Sequence, residues 1–94
     1  MIKHIVCFKL NAGESAEKAK EVLSGMRVNV PEIIDMEVGT DFLHSARSYD
    51  VFLSVVVKDK AALESYQKDP YHCNIVKKHM HSVTNTSVAV DFEM

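Results

Sequence analysis

A chain of 94 residues, 47% hydrophobic and 26% charged, has the length of one domain, and its mix of residues excludes a disordered tail or a low-complexity linker. Eleven basic against thirteen acidic residues leave a formal charge of −2, so the positive field that draws proteins onto nucleic acid or anionic membranes is missing. No apolar run approaches the ~18 residues of a membrane span, and Met1–Leu10 is too short and too charged for an export signal; with two unpaired cysteines, the cytoplasm is the expected location.

The opening residues alternate as a strand, with Ile2, His4, Val6, Phe8 and Leu10 on one face and Lys3, Ile5, Cys7 and Lys9 on the other. Ser15 can cap a helix whose buried face is Ala16, Ala19, Leu23 and Met26, and Pro31 stops its continuation. A second strand is expected from Ile33 to Phe42, with Ile34, Met36, Val38, Thr40 and Phe42 sharing a face. A third runs from Tyr49 to Lys58, with Val51, Leu53, Val55 and Val57 opposite Asp50, Phe52, Ser54 and Val56. Asp59 reads as the cap of a short helix carrying Ala62, Leu63 and Tyr66. Asp69 before Pro70 then sets a fresh helix start, running through Met80 with its basic residues late, at the negative end of the dipole. Thr86 to Phe92 closes the chain as a fourth strand with Val88, Val90 and Phe92 on one face.

The order is β-α-β-β-α-β, the ferredoxin-like α+β arrangement: one antiparallel sheet with helices on one side. The apolar strand faces are expected to lie under the helices. The other face still carries Ile5, Cys7, Phe52, Val56 and Ala89, which is too apolar to leave in water. Covering it with a second copy predicts a homodimer, the two sheets facing each other.

Several segments resemble the stress-responsive A/B barrel domain (Dabb) family: His4-Ile5-Val6 with Phe8-Lys9, Arg47-Ser48-Tyr49-Asp50, Tyr66-Gln67-Lys68-Asp69-Pro70-Tyr71-His72, and Val88-Ala89-Val90-Asp91-Phe92. The resemblance spans almost the whole chain and implies a dimeric α/β barrel. Some plant members are cofactor-independent polyketide cyclases, working through a first-strand histidine and a tyrosine and histidine around the break in the second helical region. The matching positions are His4, Tyr66 and His72. Where the family often has a further histidine before the proline, this chain has Asp69, which suits a helix cap.

Physical chemistry bears on the same three residues. His4 stands in an apolar stripe, where an unpaired ring costs about 1–3 kcal/mol, so it needs a partner, and Tyr66 or His72 could supply one. The bland role is a core histidine pinning the first strand. His72 lies three residues after the Asp69 cap, where the helix dipole disfavours the imidazolium and suits a general base. Tyr66 could orient that base or polarise a carbonyl, although an aromatic at this spacing also serves as plain core. The set is coherent for proton abstraction alpha to a carbonyl with no cofactor. The expected pocket between sheet and helices is lined also by Phe8, Leu23, Val51, Leu53 and Val88, and its ligand is a small apolar carbonyl compound. His79 and His81, two apart on a helix, diverge by about 200°, and no metal site is expected. The alternative reading is a non-catalytic stress-associated protein whose dimer is itself the functional object.

Overall fold

The computed structural model describes residues 1–94. Its elements are β1 (Ile2–Leu10), α1 (Ala16–Ser24), α2 (Met26–Asn29), β2 (Asp35–Thr40), β3 (Val51–Val57), α3 (Lys60–Lys68), a π-helical segment His72–Lys77 continuing into α4 (Lys78–Val83), and β4 (Thr84–Glu93). The four strands form one sheet in the order β2-β3-β1-β4, every neighbouring pair antiparallel. This is the ferredoxin-like α+β fold. None of its helices is long and apolar enough to cross a membrane.

Local chemistry sets the helix starts. The Ser15 hydroxyl accepts from the Lys18 amide at 3.0 Å and the Asp59 carboxylate from the Ala62 amide at 2.8 Å. The Asp69 carboxylate accepts from both the Tyr71 and His72 amides, at 2.9 and 3.1 Å, so Asp69 serves as the expected cap. Beyond Pro70 the helix widens into the π segment before α4 restores α-helical bonding as far as Val83. Neither the widening nor the extra turn is visible in the sequence periodicity. At the α1–α2 junction Gly25 lets the Tyr71 hydroxyl lie directly on the backbone; a Cβ there would overlap it.

The core lies between the helices and one sheet face. Leu23 and Met26 come down from α1 and α2, Tyr66 from α3 and Val76 from the π segment, onto Val51, Leu53, Val55 and Val57 of β3. The expected faces of β1 and β3 are those observed. Two strand ends are shorter than expected: Ile34 and Phe42 fall outside β2 and are exposed.

The face of β4 is the main correction. In register with β1, Ser87 lies beside Phe8, Ala89 beside Val6 and Asp91 beside His4, so these point to the helix side. Val88, Val90 and Phe92 pair with Cys7, Ile5 and Lys3 and point away from it. The reason is position in the sheet. β4 is an edge strand that packs chiefly on β1, and the helices lie over the rest of the sheet. Apolar side chains on its helix side would meet little to bury against. On the outer side they extend the stripe begun by Ile5 and Cys7.

Candidate active site

The open helix side of β4 leaves a cavity of about 260 Å³ between β1, β4, α3 and the π segment with α4. An enclosed apolar cavity of roughly 150 Å³ holds benzene, so this volume suits a compact ligand of one to two rings' size. His4, Phe8, Leu23, Leu53, Tyr66 and His72 line it, all six among the residues expected there. Val51 does not: it is buried on the same sheet face but pairs with Phe8 and Thr40 nearer the β2 side. Val88 does not either, because it projects from the opposite face and is half exposed.

His4 and His72 are both buried, and each has its Nδ1 committed. The Nδ1 of His72 lies 3.0 Å from the Tyr66 backbone carbonyl. A carbonyl can only accept, so Nδ1 carries the proton and Nε2 the lone pair. The Nδ1 of His4 bonds the Asp91 carboxylate, its cross-strand neighbour. A carboxylate accepts, so Nδ1 here too carries a proton, and Nε2 is left unpaired by protein. The partner of His4 is thus a carboxylate on β4, where the sequence pointed to Tyr66 or His72.

Burial holds the His72 ring below the ordinary histidine pKa of 6.5. The positive charges of Lys77 and His4 push the same way, against the Tyr66 carbonyl and Asp69. Near neutral pH His72 is therefore an uncharged base.

Tyr66 separates the two histidines. Its ring meets His4 edge-on, centroids 5.7 Å apart, and stacks on His72 at 4.4 Å with a 26° interplanar angle. Its hydroxyl turns into the core toward Met26 Sδ, 3.8 Å away. Burial raises this phenol's pKa, and the Asp91 carboxylate adds to the rise, so it stays protonated. Tyr66 gives the site a ring face and a backbone carbonyl. The hydroxyl is not placed to polarise a ligand carbonyl.

Residues that the sequence did not assign to the pocket complete the cavity: Gln67, Lys77, His81 and Thr84 line it alongside His4 and His72. Gln67 directs its backbone carbonyl at both Lys77 Nζ (3.0 Å) and Cys73 Sγ (3.3 Å), closing the break between α3 and the π segment. A helical register does put Lys77 and His81 one turn apart, but only the fold shows which way that face looks. No group of three or more His, Cys, Asp or Glu side chains gathers in metal-binding geometry.

The family model of the stress-responsive A/B barrel domain matches residues 2–94. The chain belongs to the Dabb family. Among solved structures, a dimeric ferredoxin-like protein of unknown function from Thermobifida fusca matches with a TM-score of 0.86 at 24% identity, over 99% of this chain and 90% of that one. A Dabb family protein from Mesorhizobium loti matches at 0.74 and 25% identity, over 99% and 95%. The hydroxynitrile lyase of Passiflora edulis shares the fold at 0.80 and 16% identity, over 99% and 92%. No curated protein sequence matches this Dabb chain.

Proposed function

We propose that this Dabb protein is a homodimer that binds a small carbonyl compound in the cavity and moves a proton on it without a cofactor. One observation carries this reading: two histidines with Nδ1 anchored and Nε2 unpaired line the same cavity. In the proposed chemistry, Nε2 of His72, neutral at working pH, takes a proton from the carbon alpha to the carbonyl. In its doubly protonated form, with Nδ1 bonded to the Asp91 carboxylate, His4 donates a hydrogen bond from Nε2 to the oxygen on which charge develops. Tyr66 is a positioning residue, fixing the His72 tautomer through its carbonyl and the ring plane by stacking. The polyketide-cyclase resemblance supports such chemistry, and so does a hydroxynitrile lyase with the same fold.

The dimer is supported by the outer face. Val88, Val90 and Phe92 are 51%, 60% and 43% exposed, beside Ile5 and Cys7, and the Thermobifida fusca protein of this fold is dimeric. Two free thiols fit a reducing, cytoplasmic setting.

Deuterium uptake at the alpha carbon of ethyl acetoacetate in D2O, followed by proton NMR, tests the activity. The protein should exceed an equal concentration of imidazole. His72→Ala should lower the excess by about 100-fold, within the usual range for a positioned base. No excess, or an excess untouched by His72→Ala and His4→Ala, removes the enzyme reading. What then stands is the second reading, a non-catalytic dimeric barrel, which the same exposed outer face favours.

A further inference from the structure

The geometry points to a ligand that carries a carboxylate as well as an apolar body, held at the cavity mouth by Lys77 and His81. This deepens the proposed function and rests on its reading of the cavity as a ligand site.

The argument begins with charge. In a chain with more acids than bases, the cavity is lined by a lysine and three histidines and by no aspartate or glutamate. The one nearby carboxylate that touches a lining side chain, Asp91, is spent on His4. Lys77 is half-buried and makes no ion pair; its ammonium, with three donors, gives one to the Gln67 carbonyl. The charge is thus held in place while two donors remain for something else. Lys9, Lys60 and Lys68 have carboxylate partners and five further lysines have none, but Lys77 alone among the lysines lines the cavity.

The order of the lining from mouth to depth supplies a second, separate sign. His81, one helical turn beyond Lys77, is exposed and marks the mouth, whereas Leu23 and Leu53 are almost fully buried and mark the depth. The cavity is therefore polarised: apolar within, histidines on its wall, cationic at the rim. An amphipathic keto acid matches that order. A neutral carbonyl compound would leave the ammonium donors unused.

The test uses a matched pair of probes, 4-oxo-4-phenylbutanoate and its methyl ester, titrated by nitrogen–proton correlation NMR against the intact protein. The acid should bind roughly tenfold or more tightly than the ester, the range expected for a charge-assisted hydrogen bond. The preference should shrink as salt is raised and vanish in Lys77→Met, which keeps the aliphatic stem. Two readouts guard against a folding artefact: Lys77→Met should keep the ester's affinity, and Lys78→Met, at an exposed lysine outside the cavity lining, should keep the preference for the acid. Equal affinity for acid and ester, or a preference that survives Lys77→Met, overturns the carboxylate subsite and leaves the cavity reading intact. Binding of neither probe, with the protein folded, overturns both.

Discussion

The two faces of β4 do opposite work. On the helix side Ser87, Ala89 and Asp91 are small or polar, and the space they leave is the cavity; on the other side Val88, Val90 and Phe92 are apolar with no cover from their own chain. One edge strand thus keeps a pocket empty and offers a surface for association. An apolar alternation reveals that a strand has a buried face, but the cover need not come from the same chain. The largest effect should come from attacking the outer side. Val90→Asp puts a charge where the proposed dimer would bury Val90, and an uncompensated buried charge costs several kcal/mol. Native mass spectrometry should then find the monomer, while Val28→Asp, at an 85% exposed position on α2, leaves the dimer intact. A dimer that survives Val90→Asp would place the interface elsewhere.

On the helix side the corresponding probe is Tyr66, with no exposed surface. Tyr66→Ala removes the wall between two histidines and leaves a void, at a cost of about 3–5 kcal/mol. Tyr66→Phe loses only the weak donation to Met26 Sδ and should cost about 0.5 kcal/mol or less. Chemical denaturation separates the two. If Tyr66→Phe also abolished alpha-carbon exchange while folding normally, the hydroxyl would have a role that its direction in the structure does not give it.

A third effect, smaller again, belongs to His72. In the unfolded chain its ring titrates near 6.5, whereas the folded site holds it lower, chiefly by burial. Between those values the unfolded state binds more protons, so this residue's contribution to stability falls as pH drops from about 6.5 and is unaffected above it. His72→Asn keeps a donor for the Tyr66 carbonyl and cannot titrate. The melting temperature of the wild type should therefore decline relative to His72→Asn on acidification below pH 6.5. Parallel profiles would mean that the ring is as readily protonated folded as unfolded.

Much of the fold was legible because its signals are local. Ser15, Asp59 and Asp69 announce their helices by side chains that reach two or three residues ahead, and β1 and β3 alternate against a helical layer that does cover them. The site was legible in part. His4 and His72 stood out as polar residues among apolar ones, but Asp91 meets His4 only through a pairing 87 residues apart in sequence. Lys77 reads as a dipole-matched surface charge, and His81 only as a residue diverging from His79, until the π segment fixes which way their helix face looks. Val88 failed as a lining residue for the same reason that Asp91 was missed: strand register at an edge is set by pairing, and a one-residue difference exchanges the faces.

The smallest effect concerns what seats the helices over the inner face. Gly25 has helical φ and ψ of −62° and −20°, so alanine fits the backbone there and would gain up to about 1 kcal/mol in a helix. Against this gain stands the Tyr71 hydroxyl, which an alanine Cβ would overlap. The next atom of that ring, Cζ, is 3.4 Å from the same point and the Val22 carbonyl 3.3 Å, so the hydroxyl is the main obstacle. Gly25→Ala should therefore destabilise by about 1 kcal/mol in the wild-type background, the overpacking cost outweighing the propensity. In Tyr71→Phe the same substitution should turn neutral or stabilising, a coupling that a double-mutant cycle reads directly. Additive effects would mean that the Tyr71 ring yields freely, and that the seating of the π segment against α1 rests on the apolar contacts around Leu23 and Val76 instead of on this glycine.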